Sequence, residues 1–79
     1  MESAASIWIV SVDDGALSGI GAVAGRIWEY GAGVDRILSL AGIIRCRCSD
    51  ETADMIRDIQ GVAAVEPEAV AEPSARRQG

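Results

Sequence analysis

Histidine, lysine and phenylalanine are absent from this chain. Without an imidazole there is no ready general base near neutral pH and no histidine ligand for a metal. Without a lysine amine no Schiff base can form. All seven basic residues are therefore arginines. Aromatic rings are confined to Trp8, Trp28 and Tyr30, so the core must be mostly aliphatic. The two cysteines, Cys46 and Cys48, stand together in "RCRC". A disulfide scaffold takes more of them at wider spacing, and a bridge between near neighbours on one strand is strained. Two thiols do not complete a structural zinc site, which takes four ligands. They read as reduced thiols that serve as small core residues.

Long apolar runs are also missing. None approaches the ~20 residues that span a bilayer. The opening "MESAAS" has no basic stretch followed by an apolar one, which predicts a cytoplasmic protein without a secretory signal. The net charge of −5 lacks the basic footprint of a nucleic-acid binder and opposes an anionic membrane surface. At 79 residues the chain makes one domain at most. No metal, no cofactor and no catalytic residue is expected.

What is present has clear periodicity. "SIWIVSVDD" (6–14) reads as a strand with Trp8, Val10 and Val12 on one face and Ile7, Ile9 and Ser11 on the other. "DDGALSGIGAVAGRIWEYG" (13–31) spaces Leu17, Ile20, Val23, Ala24 and Ile27 as a helix. Asp13 or Asp14 can cap its start and Gly31 can end it. Gly19, Gly21 and Gly25 weaken that helix, and close packing on a sheet would account for them. These glycines lie within the helix and no GK[ST] follows, so the stretch is not a phosphate-binding loop.

"GVDRILSLAGIIRCRCS" (33–49) reads as two strands, Val34 to Leu40 and Ile43 to Cys48, around Ala41-Gly42. Ile44, Cys46 and Cys48 share one face of the second; Arg45 and Arg47 share the other, which predicts a wet or partner-binding face. "SDETADMIRDIQG" (49–61) is a helix capped by Ser49 or Asp50 and stopped by Gly61, with Ala53, Ile56 and Ile59 or Gln60 inward. "VAAVE" (62–66) is a last strand, and Pro67 restricts further pairing to an edge. The order predicts a ferredoxin-like α+β fold, βαββαβ, with a four-stranded antiparallel sheet and two helices on one face. It occupies residues 1–68, and 69–79 form a flexible C-terminal tail.

From Leu38 onward the chain resembles the propeptide-like inhibitor family of subtilisin-type serine proteases. The likeness rests on Gly42, Ser49-Asp50-Glu51, Gly61-Val62, Val65-Glu66 and Glu68, in the order glycine-led strand, capped helix, "GV..VE.(D/E)" strand, extended tail. "VSVDD..L..I", with "G..V..IL...GII" after it, is similar to short bacterial proteins that often carry the label ketohydroxyglutarate aldolase. Together the likeness covers roughly residues 7–72 and includes no catalytic signature. The aldolase label conflicts with the missing lysine.

The inhibitor resemblance implies a sheet that docks on two surface helices of a protease. It implies Glu66 and Glu68 at those helices' N-termini, where the dipole favours a carboxylate. It implies Val70, Ala71, Glu72, Pro73 and Ser74 in the substrate cleft as an extended strand. Glu66 and Glu68 read equally as solvated acids on an edge strand. The expected function is a non-catalytic inhibitor or chaperone-like partner of a subtilisin-like serine protease. The alternative is an assembly or regulatory module, such as a homodimer, that pairs through its sheet face or edge.

Overall fold

A computed structural model describes residues 5–68. Strand β1 (Ser6–Val12) leads through a 3-10 turn (Asp14–Gly19) into helix α1 (Ile20–Glu29). Strands β2 (Gly33–Leu38) and β3 (Ile43–Cys48) follow, then helix α2 (Asp50–Ile56) and strand β4 (Val62–Pro67). The strands form one antiparallel sheet in the order β2-β3-β1-β4, the ferredoxin-like arrangement expected. β1 and β3 are central; β2 and β4 are the edges. No helix among the described residues is long and apolar enough to cross a membrane.

Period-two alternation places the core. Trp8, Val10 and Val12 of β1, Ile44, Cys46 and Cys48 of β3, and Val65 of β4 are buried on one face. Ile20, Val23, Ala24 and Ile27 of α1 and Ala53 and Ile56 of α2 cover them. Ile59, past the end of α2, completes the cluster. Trp8 also satisfies its indole by donating to the Cys48 carbonyl at 3.2 Å. Trp28 stays largely outside, at 68% exposure.

Several boundaries differ from expectation for local reasons. The helix expected over 13–31 divides, because its first turn is 3-10 and α1 starts only after Gly19. Neither Asp13 nor Gly19 supplies a side-chain cap there. Gly19, Gly21 and Gly25 do not pack on the sheet: a methyl at any of them would meet open space. β2 stops at Leu38 because Ala41 and Gly42 donate back to the Leu38 and Ser39 carbonyls in a tight turn. α2 ends at Ile56 instead of reaching Gly61, but its start is as expected, with the Ser49 hydroxyl accepting from the Thr52 amide.

Two glycines are required by geometry. Gly42 has φ +68°, and a methyl there would come within 2.8 Å of Leu17 Cδ2. Gly61 has φ +99°, and a methyl there would stand 3.1 Å from Ala16 Cβ and 3.3 Å from Val23 Cγ2. The Gly61 carbonyl also accepts from Asp13 N–H at 2.8 Å, which seats the start of β4 against the end of β1.

The β4 edge carries its own protection. Arg57 donates to the Val65 carbonyl at 3.1 Å, pairs with Asp54, and places its guanidinium 5.8 Å from the Trp8 ring centre. Pro67 offers no N–H to a further strand.

Gly61→Ala should lower the unfolding free energy by about 1–2 kcal/mol, through the left-handed backbone and the crowded methyl. Gly25→Ala should raise it by about 0.5–1 kcal/mol, because the same methyl enters an exposed helix interior. Urea unfolding followed by circular dichroism distinguishes the two signs.

Candidate functional site

Both helices cover one face of the sheet and leave the other bare. That second face is built from the alternate residues of the same strands. Ile9 of β1 lies opposite Arg45 on β3 and Glu66 on β4; Ile7 lies opposite Arg47; Ser11 lies opposite Ile43 and Ala64. Leu38 of β2 adds an exposed apolar side chain beside Ile43. The result is an aliphatic strip, half-buried at Ile7, Ile9 and Ile43, bordered by arginines and glutamates.

Arg45 organises the polar part. Its Nη1 donates to Asp35 Oδ2 at 3.0 Å and its Nη2 to Glu68 Oε1 at 3.2 Å. Asp35 belongs to β2, and Glu68 follows β4, so the guanidinium reaches over β1 to link the two edges of the sheet. Asp35 stands at a register shift between Val34 and Arg36, where β2 carries one extra residue. Beyond the shift Arg36 is the cross-strand partner of Arg45, a like-charge pair that would be destabilising alone, and the Asp35 carboxylate on Arg45 offsets it. The three side chains are 31–44% exposed, so each ion pair contributes tenths of a kcal/mol to about 1 after solvent screening.

The expected site residues separate into three groups. Glu66 and Glu68 both lie on or beside the bare face, but Glu68 is held by Arg45 whereas Glu66 is exposed and makes no ion pair among the described residues. Arg45 is half-buried in its ion pairs, whereas Arg47 is exposed. Val70, Ala71, Glu72, Pro73 and Ser74 lie outside the described residues, as does the rest of 69–79. Asp35 was not anticipated. An aspartate inside a β-branched stretch is the signal that could have marked it, since aspartate is depleted from strands.

An open cleft of about 500 Å³ lies at the end of the sheet, lined in part by Gly33, Asp35, Arg47, Cys48 and Ser49. Cys48 reaches its floor and Cys46 lies fully buried behind it; both are free thiols. Burial, and then the neighbouring Cys48, push the Cys46 thiol from 9.0 up to about 12. Burial raises Cys48 as well. Among the described residues no group of three or more acidic or cysteine side chains is placed to hold a metal ion.

Thiols held neutral are poor nucleophiles. At pH 8 a disulfide reagent should therefore label the native chain at least about tenfold more slowly than the urea-unfolded chain. The pH dependence of stability follows with a definite sign. The Cys46 contribution is fully present below pH 9.0 and is lost as pH rises towards about 12, because only the unfolded thiol ionises in that interval. Urea midpoints measured upward from pH 8 should fall, and a Cys46→Ala variant should flatten that fall.

Compared with known proteins, the chain matches no family model, no curated protein and no solved structure.

Proposed function

We propose that this chain is a non-catalytic protein-binding module, an inhibitor or folding partner of a subtilisin-type serine protease, that docks through its bare sheet face. The observation that supports this reading most is the strand pairing that reaches the last described residue beside that face. β4 is an edge strand, and pairing continues past Pro67, where the Glu68 amide donates to the Ile7 carbonyl at 2.9 Å. The ladder therefore runs to Glu68, the last described residue, at the border of the aliphatic strip, and on this reading the segment after it is the part that enters the protease. Such a segment can add to a protease cleft by main-chain hydrogen bonds, with side chains in alternate pockets. Glu66 at the same border supplies an exposed carboxylate for a helix N-terminus.

A second reading is self-association. Ile37, Leu38 and the fully exposed Leu40 are exposed apolar side chains near the β2–β3 turn, with Leu38 on the bare face beside Ile43, which favours a contact with another copy or another protein.

The two readings separate in one experiment. Under the inhibitor reading, the full chain inhibits a subtilisin-type protease with a Kd of about 1 μM or better, equivalent to about 8 kcal/mol. A chain ending at Glu68 loses most of that inhibition. Glu66→Ala in the full chain weakens it roughly fivefold, the size of one helix-terminus charge contact. Absence of inhibition across a small panel of such proteases sinks this reading. A dimer that persists in the shortened chain, seen by sedimentation, supports the second.

A further inference from the structure

We infer that Arg45 is a positioning residue: it anchors Glu68 beyond the end of β4, so that Glu66 is the carboxylate offered to a partner. Glu68 follows a proline, where a strand ordinarily loses its ladder. It is nevertheless held twice, by its amide on Ile7 of β1 and by its carboxylate on Arg45 of β3. Arg45 is itself held from the far side by Asp35. Asp35 is the unpaired residue at the register shift in β2, beside the Arg36–Arg45 pair, so the bulge lies within the anchor. Two carboxylates on opposite sides fix the guanidinium better than either alone, because its donors are set in a rigid plane.

This geometry divides the work of the two glutamates. Glu66 shares a row with Arg45, through Ile9, yet Arg45 takes the more distant carboxylate of Glu68. Glu68 is the anchor and Glu66 is the carboxylate left for a partner. On the protease reading, on which this last step rests, Arg45 then governs inhibition without touching the protease cleft: it holds the residue that precedes the inhibitory segment.

Amide hydrogen exchange by NMR on the full chain tests the anchor without any protease. In Arg45→Met, exchange at Glu68 N–H should accelerate about threefold to fivefold, the size an exposed ion pair supports. Val10 and Val65 should keep their protection. Glu68→Gln, a conservative change at the border of the sheet, should give the same acceleration, and the double variant should add little, because both remove one interaction. Unchanged Glu68 exchange in Arg45→Met overturns the proposal. If that variant unfolds, unchanged exchange in Glu68→Gln does so. In the inhibition assay Arg45→Met and Glu68→Gln should weaken inhibition by a similar factor and non-additively, with the Glu66→Gln loss adding to both. If the native chain inhibits nothing, the protease reading falls and the exchange result alone decides the anchor.

Discussion

A slip of one residue of β3 against β1 would turn Ile44 and Cys46 out to water and carry Arg45 and Arg47 into the core. The pairing of these two central strands is therefore the constraint on which the structure depends. It holds because one face of both strands is packed under helices and the other is not. The same alternation that buries the aliphatic side chains assembles the bare face from their neighbours. Core and bare face are thus two readings of one register.

That register also explains how a chain with so few large side chains makes a core. Trp8 is the only aromatic ring buried in it; the rest is valine, isoleucine, alanine and cysteine. Small side chains let α1, α2 and the β4 connection approach closely, and Gly42 and Gly61 sit where a methyl would collide. The two thiols fill strand positions that face inward. Their burial, which keeps them neutral, suits packing better than chemistry.

The polar face is organised by placement more than by strength. Each ion pair of Arg45 is partly exposed and contributes little to stability. What the arginine does is join β2 to the end of β4 across two intervening strands. A bulge supplies one of its partners and the residue after a proline supplies the other. Local irregularities that a regular sheet would avoid become the fixed points that hold Glu68.

Much of this was legible beforehand. The order of elements, the inward faces of β1 and β3, the Ser49 cap and the core role of the cysteines all follow from patterns within one segment. Strand and helix periods differ, and a cap needs only its own next turn. The 3-10 turn was less legible, because the apolar spacing around Leu17 and Ile20 does not separate a tight first turn from a regular one. The glycines of α1 misled for a related reason: composition shows that a side chain is missing, not whether a neighbour stands close. The Asp35–Arg45–Glu68 group was not legible at all. Its members come from three separate segments, and only the register and the bulge bring them within hydrogen-bond reach. The sequence by itself determined which residues face the core and which face away, since that depends on local period. Tertiary structure decided which of the outward residues meet, since that depends on the alignment of strands distant in the chain.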